Sequence, residues 1–259
     1  MPLQKTIFPP KLKTMEEITT NYSFWHFFIG EFVGTALLII FGGGVVANVI
    51  LNKTKGNNSG WIVITFGWAI AVFVGVYTST KLGGSGHLNP AVTIAMTAFN
   101  NFDKSLLPVY LIAQLTGAIA GAAIVWLTYK QHFDATDDGS IKLAVFATSP
   151  AIRNPFYNLL TEIIGTFILV FGAMAMSEPE IQIGTLRALP VGLLVLGIGL
   201  SLGGPTGYAI NPARDLGPRI AHFILPMKNK GNSDWSYSWI PVVGPIIGGL
   251  LAAWIFKML

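Results

Sequence analysis

The strongest constraint in this 259-residue chain is a tripeptide that occurs twice, each time at the end of a glycine-rich run. The first run reads Gly83-Gly84-Ser85-Gly86-His87-Leu88-Asn89-Pro90-Ala91. The second reads Gly203-Gly204-Pro205-Thr206-Gly207-Tyr208-Ala209-Ile210-Asn211-Pro212-Ala213-Arg214. Asn before Pro is the chemistry of a helix start. The Asn oxygen caps free backbone N–H groups, and Pro suits the first turn, where its missing N–H costs nothing. The glycines before each Asn allow an irregular backbone with exposed carbonyls. The apolar stretches that follow, Asn89–Asn100 and Asn211–Leu225, reach only about half of a ~30 Å hydrocarbon core at ~1.5 Å per residue. Irregular backbone at membrane depth survives only where it is buried in protein or lines a wet cavity. Two such half-helices predict a channel or a transporter.

The premise of a membrane rests on composition. Hydrophobic residues make up 52% of the chain, charged residues 11%, and mean hydropathy is +0.60, values foreign to a soluble domain. The formal charge of +4 fits basic flanks and gives no case for a nucleic-acid partner. With no cysteine, disulfide and thiolate chemistry are excluded. No cofactor and no metal site are expected, and a membrane-bound enzyme lacks a nucleophile–base set or a metal-ligand cluster.

Six stretches are long and apolar enough to span: Phe24–Ile50, Trp61–Thr80, Leu106–Tyr129, Phe156–Met176, Leu186–Gly203 and Trp239–Phe256. Polar connectors are read at Asn52–Gly60, Lys130–Asn154, Ser177–Thr185 and Lys228–Ser238, after a polar N-terminal segment over residues 1–23. The channel domain is expected over 24–259, as two repeats at about 24–129 and 156–257. Gly30-Glu31-Phe32-Val33-Gly34-Thr35 returns as Thr161-Glu162-Ile163-Ile164-Gly165-Thr166, and each Asn-Pro-Ala follows the second span of its half. Three spans per half is an odd number, so the second copy enters the bilayer from the opposite face. Inverted repeats of this kind place the working site at the midplane, with Asn89 and Asn211 facing each other. The basic residues divide evenly enough between the two sides that charge does not set the orientation.

Glu31 and Glu162 are carboxylates inside apolar spans, which is costly. Either they accept N–H bonds from the irregular loops and hold them, or they relay protons. Each Asn that caps with its oxygen keeps an NH₂ free to donate to a passing oxygen. Two facing helix N-termini, each carrying about half a positive charge, form a barrier to cations and protons. Arg214 is the basic residue at the start of the second half-helix, and His87 is read as a loop brace. Gly117-Ala118-x-x-Gly121-Ala122 predicts close helix packing in the third span.

Together these residues resemble the major intrinsic protein family, and within it the aquaglyceroporin or glycerol-facilitator branch. The resemblance runs from Glu31 through the sixth span. It is most specific at Gly207 through Arg219, with Asn101-Phe102-Asp103-Lys104 as a second mark. It implies an aquaporin-like fold, a homotetramer with one pore per subunit, and a bacterial plasma membrane. It implies a passive pore for glycerol, other small uncharged solutes and water. By position it implies a selectivity filter of Trp68, Gly199, Tyr208 and Arg214. It also implies a carbonyl track from Ser85, Gly86 and His87 and from Gly207, Tyr208 and Ala209. Asp215 is a further mark of the glycerol branch. The rivals are a channel passing mainly water and an ion-coupled transporter with broken helices.

One departure from the family pattern bears on the site. The chain has one residue more than usual between the span-two aromatic and Asn89. Counting straight back from Asn89 puts Ala69 in the filter. Absorbing the extra residue in the glycine-rich loop keeps Trp68 there, and costs less than rotating a whole apolar helix face by about 100°. The expectation is therefore Trp68 in the filter, packed near Tyr208 as an apolar corner opposite Arg214.

Overall fold

A computed structural model describes residues 23–176 and 186–259, and the described residues form helices and loops with no strand. The described residues open on α1, Phe24–Ile50, started by a capping box in which the Ser23 backbone N–H donates to His26 Nδ1 at 3.2 Å. There follow α2, Trp61–Lys81, and the short α3, Pro90–Phe99. A 3₁₀ turn at Lys104–Leu106 leads into α4, Leu107–Thr128. Two small helices come next, α5 at Lys130–Asp134 and α6 at Gly139–Phe146. The second half holds α7, Pro155–Ala175, then α8, Leu189–Leu202, the short α9, Pro212–Ile224, and α10, Ile240–Met258.

Five helices are long and apolar enough to cross a bilayer: α1, α2, α4 with its 3₁₀ lead, α7 and α10. The sixth crossing is shorter than the expected Leu186–Gly203. α8 has 14 residues, about 21 Å of rise, because Pro190 fits only the first turn and the glycine-rich run begins at Gly203. The connector expected at Ser177–Thr185, and the N-terminal segment apart from Ser23, lie outside the described residues.

The packing has the inverted symmetry that the repeats require. In the first half α1 lies against α2 and α4; in the second α7 lies against α8 and α10. The half-helices cross over, α3 resting on α10 and α9 on α4, and α2 packs on α8 across the divide. Small residues permit the tightest approaches. A Cβ at Gly117 would sit 2.4 Å from the Phe32 carbonyl, and one at Gly121 2.5 Å from that of Ala36, as the Gly117–Gly121 spacing predicts. Gly248, the counterpart of Gly117 in α10, would place a Cβ 2.2 Å from the Ile163 carbonyl. Both halves thus seat their first span on a glycine of their third.

The segment 130–154 departs from its reading as a polar connector. Its apolar run Leu143-Ala144-Val145-Phe146-Ala147 turns inward, and Phe133, Leu143, Val145, Phe146 and Ala147 are buried. Even Lys142 is buried, its ammonium on the Lys228 carbonyl. The fold tucks this segment beside α9, where it reaches the site.

Candidate functional site at the meeting of the half-helices

The loops before α3 and α9 are strained in the same way. Leu88 has φ 51° and Ile210 φ 43°, with Gly86 at 72°, Gly207 at 80° and Tyr208 at 39°. A left-handed non-glycine residue costs about 1–3 kcal/mol and persists only where its surroundings fix it. The fixing groups are two buried carboxylates. Glu31 accepts from the backbone N–H groups of His87 (3.0 Å) and Leu88 (2.8 Å), from the Ser79 hydroxyl (3.0 Å) and from Gln114 Nε2 (2.8 Å). Glu162 accepts from the N–H groups of Ala209 (3.1 Å) and Ile210 (2.8 Å) and from the Thr206 hydroxyl (2.7 Å). Each carboxylate therefore holds the two residues before its Asn. Among the described residues, the hydrogen bonds to the Glu162 carboxylate all come from the loop before Asn211.

The two Asn side chains are brought together. Asn89 Oδ1 accepts from Ala91 N–H at 2.9 Å, and Asn211 Oδ1 accepts from Ala213 N–H at 3.0 Å and Arg214 N–H at 3.2 Å. Their NH₂ groups are not wholly free, which corrects the expectation from sequence. Asn89 donates to the Ile210 carbonyl and Asn211 to the Leu88 carbonyl, both at 2.8 Å. The left-handed backbone at Leu88 and Ile210 turns those carbonyls toward the opposite motif. An amide NH₂ carries two protons, so each Asn keeps one to offer.

A cavity of about 320 Å³ runs past these groups. Its lining combines the apolar Leu38, Val72, Val76, Leu169 and Val195 from the spans with Ser85, Gly86, His87, Asn89, Ala209, Asn211 and Arg214 from the two loops and the starts of the half-helices. Trp68 and Tyr208 line it too, whereas Ala69 does not. Ala69 instead faces α8, where a Cβ on Gly192 would meet its carbonyl at 2.9 Å. Trp68, and not its neighbour Ala69, is thus the residue of this pair that stands on the cavity. Of the carbonyl positions expected, Gly207 is not in the lining, while Leu88 and Ile210 are.

The aromatic corner differs from its expectation. The Arg214 guanidinium lies over the Trp68 ring, 4.1 Å from its centroid, rather than across from it. The ring of Tyr208 packs edge-to-face on Trp61 at 5.8 Å. Arg214 also donates to the Phe146 carbonyl at 3.2 Å, and a desolvated guanidinium over a tryptophan face is worth about 2 kcal/mol. Gly199 makes room for Tyr208: a Cβ there would stand 2.8 Å from its Cζ.

Sequence reasoning missed the supports behind this wall. Asp215 accepts from both the N–H and the hydroxyl of Thr148 at 2.7 Å, and from Arg219 Nε at 2.8 Å. Arg219 is fully buried and spends its other N–H groups on Asp215 and on the carbonyls of Thr148, Ser233 and Asp234. This clamp anchors the inward segment that presents the Phe146 carbonyl. On the other side His87 lies 3.2 Å from the Thr93 hydroxyl and packs against Phe102 and Tyr110. Gln114 bridges Thr93 and Glu31. A lone amide amid the apolar third span was the available signal for Gln114. No group of three or more metal-ligating side chains occurs among the described residues.

The model of one protein family, "Major intrinsic protein", matches residues 18–256. The chain belongs to the major intrinsic protein family. Among relatives, it is 56% identical over 232 residues to the "Probable glycerol uptake facilitator protein" of Thermotoga maritima, covering 90% of this chain and 98% of that protein. It is 54% identical over 230 residues to the glycerol uptake facilitator protein of Streptococcus pneumoniae, covering 88% and 97%. Among solved structures, the aquaglyceroporin from Plasmodium falciparum superposes with a TM-score of 0.81 at 34% identity, covering 91% of this chain and 96% of that one. Membership in the major intrinsic protein family makes the chain a multi-pass membrane channel, the class to which the paired half-helices pointed.

Proposed function

We propose that this channel conducts glycerol, with other small uncharged solutes and water, passively across a bacterial plasma membrane, and that it excludes ions and protons. The observation that carries the reading is the mixed lining of the cavity, apolar side chains from the spans beside polar groups from the two loops. A polyol presents carbon on one edge and hydroxyls on the other. Its carbons meet Trp68, Tyr208 and the valines while its hydroxyls meet Arg214, the loop carbonyls and the remaining Asn protons. Trp68, Tyr208 and Arg214, with Gly199 behind Tyr208, form the selectivity filter, and the carbonyls from Ser85 to His87 and those of Tyr208 and Ala209 the polar track. Glu31 and Glu162 brace the loops. The names and high identity of the glycerol-facilitator relatives support the same reading. Ion exclusion follows from the two helix N-termini meeting at the Asn pair and from the cation of Arg214. The protein acts as a homotetramer with one pore per subunit.

The experiment is glycerol flux into proteoliposomes as a function of concentration. A channel gives flux that rises linearly and ignores imposed sodium or proton gradients. Saturation together with dependence on such a gradient would establish a coupled transporter instead.

A further inference from the structure

We propose that Trp61 is a specificity-determining residue of this channel, acting by positioning Tyr208 and by occupying the Gly199 carbonyl. The inference rests on the filter assigned above. Trp61 opens α2, two turns before Trp68, and none of the motifs read from the sequence includes it. Its indole N–H donates to the Gly199 carbonyl at 3.0 Å. Gly199 stands in the last turn of α8, where helix carbonyls run out of intrahelical donors, so this bond caps an otherwise orphaned group. The Trp61 ring meets that of Tyr208 edge-to-face at 5.8 Å, with planes 76° apart.

The surroundings are cut to fit both rings. A Cβ on Gly203 would lie 2.6 Å from Tyr208 Cδ1 and 2.8 Å from Trp61 Cζ2, so that glycine admits the two side chains together. Tyr208 has φ 39°, and its buried hydroxyl has no hydrogen-bond partner among the described residues. No polar group of the described residues therefore anchors the Tyr208 ring by its tip. Its position rests on the α8 glycines on one face and Trp61 at the edge. Trp61 is 41% exposed, so it contributes little to the core compared with a buried span residue. Its contacts nonetheless converge on two filter positions. Removing the indole frees Tyr208 to swing off the cavity wall and uncovers the Gly199 carbonyl.

The test compares xylitol and glycerol permeability in proteoliposomes carrying wild type, Trp61→Ala, Trp61→Phe or Tyr208→Ala, with thermal stability in detergent as control. Trp61→Ala raises the xylitol-to-glycerol ratio by roughly three- to tenfold, the scale of one lost ring contact and hydrogen bond. Trp61→Phe, which keeps a ring, restores most of the size discrimination. A ratio unchanged in Trp61→Ala but raised in Tyr208→Ala overturns the proposal and leaves the filter standing. A ratio unchanged in both removes the filter assignment itself. If Trp61→Ala does not reconstitute, Trp61→Leu, which lacks both ring and N–H, is held to the same outcomes.

Discussion

Replacing Gly199 by alanine tests whether the Tyr208 ring is the wall that solutes pass. The added methyl would stand 2.8 Å from Tyr208 Cζ, 3.0 Å from its hydroxyl and 2.9 Å from Thr65 Cγ2. Carbon atoms rest at about 3.5–4.0 Å, so the ring has to yield by about 0.7–1.2 Å. With α8 behind it and Trp61 at its edge, the movement open to it is toward the cavity it lines. Overpacking of this size costs about 1–3 kcal/mol, and a three-carbon solute meets the displaced ring as repulsion of the same order. A barrier higher by about 1.4 kcal/mol slows passage tenfold. Glycerol permeability, read by stopped-flow light scattering on proteoliposomes, should therefore fall by about tenfold or more. Osmotic water permeability should fall by less than about twofold, since water has no carbon edge to clash. Adding Tyr208→Ala to Gly199→Ala should restore glycerol. Unchanged glycerol flux in Gly199→Ala would refute the reasoning, because the ring would then have moved without touching the path.

Two further outcomes follow from the same contacts. Trp68→Ala removes the ring beneath Arg214 and a side chain only 4% exposed, so longer polyols such as xylitol should enter while glycerol discrimination drops, in the same swelling assay. Asp215→Asn takes the countercharge from buried Arg219 and should cost about 3–5 kcal/mol, seen as a lower unfolding temperature in detergent. Glycerol flux should fall with it, because the segment holding the Phe146 carbonyl against Arg214 loses its anchor.

What the sequence disclosed and what it hid divide along physical lines. The Asn-Pro-Ala starts were legible because capping is local chemistry, and the spans because a bilayer imposes length and apolarity residue by residue. Trp68 was placed against Ala69 by asking whether a glycine loop or a helix more cheaply absorbs an extra residue. The Asn–carbonyl exchange was not legible, since it depends on Leu88 and Ile210 adopting left-handed backbone that neither residue type favours. Nor was the stacking of Arg214 on Trp68, which joins a half-helix to a span at an angle no pattern encodes. The inward turn of 139–147 was obscured by its polar flanks, and with it the Asp215–Arg219 clamp, whose partners come from two separate loops. Trp61 was one aromatic among many until the structure laid it beside Tyr208.

The most direct measurement is the swelling of proteoliposomes containing the wild-type protein after an inward gradient of glycerol. Swelling much faster than in empty liposomes, abolished or strongly slowed by Gly199→Ala, is the predicted result. Glycerol swelling equal to that of empty liposomes, with water permeability still raised by the protein, would contradict it and make this a channel for water.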